Sequence, residues 1–238
     1  MAGGRPSPTA AGLETGLAAD RGRALALLRE RLPDSREISP QVLDRLDRFA
    51  AALVQWQATT NLVAPSTLPE LWTRHIADSL QLVPLAPDVR HWVDLGSGGG
   101  FPGLVVACAL ADTDGASVHL VESNLKKAAF LREAARLTGA PARVHAARIE
   151  DVVDRFADSV EIVTARALAP LEKLVESAYP LLTSGAQALF LKGRDVEAEL
   201  TAASKYWTID AELIPSVTDS AGRIVRVRSV ERRRPARE

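Results

Sequence analysis

Apolar residues follow two different patterns along the chain, and the change falls at about residue 90. Before it, they recur every three or four residues, which is the spacing of an amphipathic helix. The first such helix is expected to begin at Ser39-Pro40, because serine suits the N-cap and proline the first helical position. Its apolar residues are Val42, Leu46, Phe49, Leu53 and Trp56. A second helix is expected from about residue 68 to 83, so residues 37–87 are predicted to form a small helical cap.

The N-terminal extension, residues 1–36, is rich in Gly, Ala, Pro and Arg and has no sustained apolar periodicity in its first third. Such a composition buries too little apolar surface to offset the entropy of an ordered chain. The first 20 or so residues are therefore predicted to be disordered and the next dozen to form a short, loose helix.

Beyond residue 90, short apolar runs alternate with helical segments. We expect strands at about 91–95, 117–122, 142–146, 160–165 and 186–192, and helices at about 102–110, 124–138, 149–156, 170–182 and 195–204. This alternation is typical of a parallel sheet covered by helices on both faces. The last two runs, 207–217 and 223–230, are too close together for a crossover helix and suit a hairpin. Residues 88–230 are therefore predicted to form an α/β domain whose mainly parallel, seven-stranded sheet ends in an antiparallel hairpin.

A glycine-rich turn follows the first predicted strand. Residues 94–100 have the sequence DLGSGGG, and Phe101, Pro102 and Gly103 lead from them into a helix. Glycine permits positive φ and lets a ligand approach the backbone closely. Because open α/β sheets bind ligands at the carboxyl ends of their strands, this turn is the main candidate for a ligand site.

Two classes of ligand are compatible with the turn. Residues 98–103 match the G-x-G-x-x-G dinucleotide motif, and Glu122 could be its ribose-binding acid. That motif alone is a weak signal, and Asp94, Pro102 and the terminal hairpin argue against it. The D-x-G-x-G-x-G spacing is moderately specific for S-adenosylmethionine, which has a ribose and a zwitterionic tail but no phosphate. We therefore predict a class I, Rossmann-like S-adenosylmethionine-dependent methyltransferase, with a nicotinamide-dependent oxidoreductase as the alternative.

Two charged residues at strand ends are further candidates. The Glu122 carboxylate can accept hydrogen bonds from both ribose hydroxyls, although an acid at a helix N-terminus is also stabilised by the helix dipole. We favour ribose binding. Arg166 lies where catalytic groups of this fold usually stand, and a structural ion pair is an equally good interpretation of a lone buried arginine.

The residue types that are absent from the sequence reduce the number of possible methyl acceptors. Cys108 is the only cysteine and lies within a predicted helix, so we expect a small core residue, no disulfide and no cysteine-based metal site. An Asn/Asp-Pro-Pro-aromatic loop, which often serves exocyclic amines, does not follow the fourth predicted strand. A ring nitrogen such as guanine N7 has a free lone pair, so positioning and desolvation are sufficient and no base is needed.

Five sequence blocks together resemble a known family. They are residues 61–63 (NLV), 74–80 (RHIADSL), 94–103 (DLGSGGGFPG), 166–167 (RA) and 191–193 (LKG). They are similar to the RsmG (GidB) family of bacterial enzymes, which methylate N7 of a guanosine in the decoding-centre loop of 16S ribosomal RNA. The resemblance covers roughly residues 40 to 230 and implies 16S rRNA or the small ribosomal subunit as the partner. With the turn itself, it predicts a donor site formed by Asp94, Gly96, Gly98, Gly100, Phe101, Glu122, Ile149, Glu150 and Arg166.

The resemblance also bears on polar residues outside the turn. It favours a role for Arg74 and Asp78 at the mouth of the donor pocket over a surface ion pair between positions i and i+4. It makes His75 a second catalytic candidate beside Arg166, although chemistry at N7 does not require a base. Candidates for contact with the RNA are Arg74, Lys126, Lys127, Arg148 and Lys192, for which composition alone also fits a solvated face.

Charge is distributed unevenly along the chain. Residues 223–238 carry seven Arg against two Glu, whereas residues 91–222 carry 12 basic and 18 acidic residues. A basic tail, residues 231–238, on an acidic body suggests a polyanionic partner, and a solvated, disordered end is equally consistent. A non-catalytic rRNA-binding assembly factor is a third hypothesis, which the intact turn, Glu122 and Arg166 oppose. With no signal peptide and no long apolar stretch, we expect a cytoplasmic monomer that uses no membrane and no metal.

Overall fold

The computed structural model describes residues 10–32 and 38–233. Disorder expected for residues 1–9, and any role of the tail residues 234–238, lie outside the described residues. The α-helices are α1 (Ala10–Arg31), α2 (Pro40–Gln57), α3 (Asp78–Leu80), α4 (Gly103–Ala109), α5 (Leu125–Thr138), α6 (Leu171–Thr183) and α7 (Val196–Ala203). None of the helices in this part of the chain is both long enough and apolar enough to cross a membrane.

The strands form a single seven-stranded sheet. They are β1 (His91–Leu95), β2 (Ser117–Val121), β3 (Ala142–His145), β4 (Ile162–Arg166), β5 (Gln187–Lys192), β6 (Trp207–Pro215) and β7 (Arg223–Arg232). Their order is β3-β2-β1-β4-β5-β7-β6, and the first five are parallel. β7 pairs antiparallel with both β5 and β6, which confirms the predicted hairpin. Strand order reverses between β1 and β4, so a crevice opens there at the carboxyl edge of the sheet.

Both faces of the sheet are buried, as its apolar strands predict. Trp92 and Val93 are neighbours in β1, yet they pack into different hydrophobic clusters. The Trp92 cluster includes the helical cap, α4 and α5, and the Val93 cluster includes α6 and α7. The cap therefore shares one continuous core with the cap-facing side of the sheet.

The N-terminal extension is more ordered than its composition predicts. α1 has 22 residues, so the disorder predicted up to about residue 20 is wrong from Ala10, whereas the helix expected for the next dozen residues is present as the second half of α1. The Asp20 carboxylate is fully buried and accepts hydrogen bonds from the backbone N–H groups of Trp72 (2.8 Å) and Thr73 (3.1 Å). These partners are more than 50 positions away, so local periodicity does not reveal them.

Two predicted helices are irregular. The second cap helix consists of a 3₁₀ turn (Pro65–Glu70), a π-helix (Trp72–Ala77) and α3, although its predicted apolar residues Trp72, Ile76 and Leu80 are buried as expected. The helix expected at 149–156 is a pair of 3₁₀ turns, Ile149–Asp151 and Val153–Phe156. π-Helical turns are often found at functional sites, and this one carries Arg74 and His75.

Candidate active site

A cavity of about 490 Å³ lies at the carboxyl edge of the sheet, beside the glycine turn. We call it the turn cavity. The predicted donor-site residues on its wall are Gly96, Gly98, Phe101, Glu122, Ile149, Glu150 and Arg166. The structure therefore brings together seven of the nine residues predicted for that site. Asp94 and Gly100 do not line this cavity.

Asp94 lies beneath the turn and supports it. One carboxylate oxygen accepts from the Gly103 N–H (3.1 Å) and the other from the Thr164 hydroxyl (2.9 Å). Burial raises the pKa of Asp94 to about 6. A side chain at Gly103 would place its Cβ 2.5 Å from the Asp94 Cβ, so glycine is required there. The predicted direct role of Asp94 in donor binding is thus corrected to one of joining β1, β4 and the start of α4.

The back of the turn packs against the cap. Gly96, Gly98 and Gly100 have φ values of 70°, 53° and 93°, which confirms the expected need for positive φ. A Cβ on Gly99 would lie 2.8 Å from the Leu62 carbonyl oxygen, and one on Gly100 would lie 3.0 Å from the Phe49 ring. The last two glycines are therefore required by packing behind the turn as well as by any ligand in front of it.

Glu122 holds the turn from the side of the cavity. Its Oε2 accepts from the Gly98 N–H (2.9 Å), and its Oε1 accepts from the Asn124 N–H (2.7 Å). The residue is only 8% exposed but lies on the cavity wall. Since each carboxylate oxygen can accept more than one hydrogen bond, Glu122 can hold the turn and still accept from a ligand.

Arg166 ends β4 and is fixed by the cap. Its Nη1 donates to the Arg74 carbonyl (3.0 Å) and lies 3.6 Å from Asp78 Oδ2, and its Nη2 donates to His75 Nδ1 (2.7 Å). The guanidinium also lies 5.0 Å from the centre of the Phe101 ring. Burial lowers the pKa of Arg166, whose ordinary value is so high that the side chain stays charged. Both interpretations of this residue, ion pair and functional group, are compatible with this geometry.

His75 supports Arg166 and is not placed to act as a base. Because arginine only donates, His75 Nδ1 is the acceptor, and Nε2–H donates to the Thr67 hydroxyl (2.9 Å). Burial, with the charges of Arg166 and Arg74, lowers the pKa of His75 to about 3. The ring is neutral and both nitrogens are engaged, so the prediction of a catalytic histidine is corrected to a supporting role.

A second cavity, of about 820 Å³, lies on the other side of Arg166. We call it the cap cavity, because Arg74, His75 and Asp78 contribute to its wall. It shares Arg166 and Ala167 with the turn cavity. Ala167 has a φ of 51°, in the left-handed region that non-glycine residues rarely adopt. Strained backbone of this kind clusters at functional sites, and here it lies where the two cavities meet.

Some of the predicted RNA-binding residues are accessible, and others are engaged in ion pairs. Lys127 and Arg148 line the turn cavity, and Lys126 is exposed beside it. Arg74 lines the cap cavity and lies 3.7 Å from Glu70, so the alternative ion pair with Asp78 does not form. Lys192 is 10% exposed, and its Nζ lies 2.6 Å from Glu199 and donates to the Ala169 carbonyl. The predicted phosphate contact of Lys192 is therefore replaced by an internal ion pair.

Cys108 is fully buried in α4, and burial raises its pKa to about 12. This confirms the expected core position. A thiol of such a high pKa does not supply a thiolate nucleophile.

The strand order, the turn and the paired cavities define a Rossmann-like methyltransferase fold. Solved structures with this fold include cofactor-bound Rv0187 from MTB, with 14% identity, a TM-score of 0.53 and 94% of this chain and 99% of that chain covered. A protein from Klebsiella pneumoniae described as an O-methyltransferase has 12% identity and a TM-score of 0.55, with 91% of this chain and 99% of that chain covered.

Sequence comparison identifies the family. The GidB family, rRNA small subunit methyltransferase G, matches residues 42–225. A ribosomal RNA small subunit methyltransferase G from Bradyrhizobium sp. strain BTAi1 is 60% identical over 216 residues, which are 91% of this chain and 94% of the relative. The protein of that name from Rhodopseudomonas palustris strain BisB5 is 59% identical over 214 residues, which are 90% and 88%. The chain belongs to this family, which confirms the resemblance of its five sequence blocks.

The sequence does not reveal the contacts that hold the site from behind. Phe49 and Leu62 support the turn, and Asp78 joins Arg166 to Thr218 of the terminal hairpin. The 74–80 block does point to Asp78, but its partner on the hairpin is 140 positions away. Nothing in the local pattern indicates that contact.

Proposed function

We propose that this protein transfers the methyl group of S-adenosylmethionine to N7 of a guanosine in the decoding-centre loop of 16S ribosomal RNA. Membership of the family supports the small-subunit RNA as substrate, and an rRNA substrate implies action in the cytoplasm. The observation that carries the proposal is that the turn cavity and the cap cavity share Arg166 and Ala167. A donor in one and a base in the other would meet at that junction.

The turn cavity suits adenosylmethionine better than a dinucleotide. The first N–H of α4 points at the buried Asp94 carboxylate and not into the cavity, so it offers nothing to a pyrophosphate. Glu122 lies on the cavity wall, is held by two backbone N–H groups, and can accept charge-assisted hydrogen bonds from ribose hydroxyls. Ile149 and Glu150 lie on the wall beyond Glu122, and Gly96, Phe101 and Arg166 complete the donor site. These features favour a methyltransferase over the nicotinamide-dependent alternative.

Adenosylmethionine, when bound, supplies an electrophilic methyl group on a positively charged sulfur. The N7 lone pair forms the new bond as the bond from methyl carbon to sulfur breaks and its electron pair stays on sulfur. No proton has to be removed, in agreement with a neutral His75 engaged through both nitrogens. The chain's own contribution is therefore to orient the reactants and to exclude water.

Arg166 is the residue best placed to orient them. Within the described residues, its Nη1 and Nη2 have hydrogen-bond partners and its Nε has none. Because every buried side-chain nitrogen described has a partner, the unpartnered Nε is not buried. That N–H is therefore open to an anionic or carbonyl oxygen at the junction of the cavities. Lys127 and Arg148 line the turn cavity, and Lys126 is exposed next to Lys127. These three residues are proposed to contact RNA phosphates, which position a nucleic acid without reading its sequence.

The test uses small ribosomal subunits from cells that lack this gene. Incubation with the purified protein and methyl-labelled adenosylmethionine should place the label on one guanosine, which borohydride reduction and aniline cleavage identify as N7-methylated. Naked 16S rRNA in a parallel reaction shows whether the folded subunit is needed. Label on another atom, or binding of a nicotinamide cofactor in place of adenosylmethionine, would overturn the proposal.

A further inference from the structure

Three segments that are distant in sequence meet at the Asp78 carboxylate. Its Oδ1 accepts hydrogen bonds from the Thr218 hydroxyl (2.7 Å) and from Gln81 Nε2 (2.7 Å). Its Oδ2 lies 3.6 Å from Arg166 Nη1. One carboxylate group therefore joins the cap, the end of β4 and the loop between β6 and β7.

That loop, residues 216–222, is the hairpin turn, and the cap holds it firmly. Gln81 accepts from the Val217 N–H (2.8 Å) and donates to the Ser216 hydroxyl (3.1 Å). Gln81 and Ser216 are 1% and 7% exposed, so these bonds are shielded from water. Thr218 and Asp219 lie on the wall of the cap cavity. The hairpin turn thus contacts Asp78 and, together with Asp78, lines the proposed base-binding space.

Asp78 is the main acidic partner of Arg166, and the buried Asp94 also favours the charged guanidinium. Among the residues described, Asp78 is the only acidic side chain within ion-pair distance of this guanidinium. The other groups that Arg166 touches are the Arg74 carbonyl, the neutral His75 ring and the Phe101 face. A buried cation that loses its one carboxylate partner reorients or draws in water.

We propose that Asp78 is a positioning residue, which aims Arg166 at the junction of the two cavities and couples it to the hairpin turn on the acceptor side. The inference rests on the proposed function, because Arg166 acts there on donor and base. Asp78 lies on the wall of the cap cavity, but among the described residues the only cation within ion-pair distance of its carboxylate is Arg166. Its effect on methyl transfer is therefore expected to pass through Arg166.

A double-mutant cycle tests this coupling. Asp78→Asn keeps the shape and an oxygen for Thr218 but removes the charge, and Arg166→Ala removes its partner. Single-turnover methylation of unmethylated small subunits measures all four proteins, including slow ones. Asp78→Asn should lower the rate about ten- to a hundredfold in the wild-type background and less than about threefold in the Arg166→Ala background.

Further variants separate positioning from folding. Asp78→Glu restores the charge and should recover part of the lost rate. Thr218→Val removes the shortest of the hydrogen bonds between Asp78 and the hairpin turn and should cause a smaller loss. Asp47→Asn removes an exposed carboxylate of α2 that pairs with Arg21 outside the site, and it should leave the rate unchanged. Thermal melting shows whether each variant is folded.

Two outcomes would overturn the inference. Equal losses from Asp78→Asn in both backgrounds would mean that Asp78 acts on the fold and not through Arg166. A folded Asp78→Asn protein with a wild-type rate would mean that it does not act at all. If the wild-type protein itself leaves N7 unmethylated, the proposed function fails instead.

Discussion

Glu122 and Arg166 are both held in place before any ligand arrives. Glu122 is oriented by two backbone N–H groups, and Arg166 by a carbonyl, a ring nitrogen and an aromatic face. Side chains fixed in this way lose little conformational entropy when they bind a ligand. The site is therefore preorganised one residue at a time.

Glu122→Ala should weaken adenosylmethionine binding roughly ten- to a hundredfold, because it removes about 1.5–3 kcal/mol of charge-assisted hydrogen bonding to the ribose. Isothermal titration calorimetry gives the dissociation constants. Glu122→Gln is the matched control. Since it keeps one oxygen as an acceptor, its affinity should lie between those of the wild type and Glu122→Ala. Unchanged affinity in the alanine variant would exclude Glu122 from the donor site.

His75 should make stability depend on pH. Its pKa is about 3 in the folded protein and about 6.5 in an unfolded chain, so between these values the unfolded chain binds a proton that the folded one does not. Its contribution to stability is thus complete above pH 6.5 and is lost as pH falls. Compared with His75→Gln, the wild type should lose roughly 1 kcal/mol of relative stability per pH unit below that value.

Urea unfolding of both proteins at about pH 7.5 and about pH 5 measures this difference. Asp94 and His119 also have shifted pKa values, about 6 and about 4, but they are present in both proteins and cancel. A stability difference that stays constant with pH would show that His75 is protonated alike in the folded and unfolded states.

Among the secondary structure elements, the cap is part of the active site and does more than cover it. α2 places Phe49 under the glycine turn. Arg45 of α2 also forms a bidentate ion pair with Asp112, with both hydrogen bonds 2.7 Å long. α1 in turn places Asp20 at the start of the π-helix that carries His75. Loss of order in α1 would therefore reach Arg166 through this helix.

Asp20→Ala should destabilise the protein by about 1–3 kcal/mol, because it leaves the buried N–H groups of Trp72 and Thr73 without an acceptor. Denaturant unfolding measures the change. Asp44→Ala is the control, since Asp44 forms an exposed ion pair with Arg48 and its loss should cost less than about 1 kcal/mol. Equal effects of the two substitutions would show that α1 is not anchored through Asp20.

At the scale of the whole molecule, β7 spans the sheet, so the arginines at its two ends lie at opposite edges. Arg223 of β7 lies opposite Lys192 of β5 in the sheet, at the carboxyl edge of the parallel strands and beside the cap cavity. Arg232, at the other end of this ten-residue strand, pairs with Trp207 at the opposite edge, roughly 30 Å away at about 3.3 Å per residue. The last residues of β7 therefore lie on the side of the domain away from the cavities.

The basic tail, residues 231–238, is a further candidate for contact with the substrate RNA. Because β7 extends to Arg232, the deletion begins at Arg233. Deleting residues 233–238, which include Arg233, Arg234 and Arg237, should weaken binding of the small subunit at low salt. The salt slope should fall by about 0.7 to 0.9 for each phosphate that the tail no longer neutralises, while adenosylmethionine affinity stays the same. Superimposable slopes for the full and shortened chains would show that the tail is a solvated end and that the RNA surface lies with Lys126, Lys127 and Arg148.

Local patterns in the sequence were enough to predict the sheet, the hairpin, α2 and α5, because periodicity and short connections act within a dozen residues. They also identified the turn and Glu122, since a ligand site at the end of a strand follows from the α/β topology. The family blocks in the sequence predict that His75 and Arg166 belong to one site.

Only the tertiary structure decided what those residues do. Asp94 lies under the turn, His75 accepts from Arg166 91 positions away, and Lys192 is neutralised by Glu199. Asp20 orders a helix whose composition predicts disorder. In each case the partner is brought in by packing, and the free energy of a buried polar group depends on that partner and not on the residues beside it in the chain.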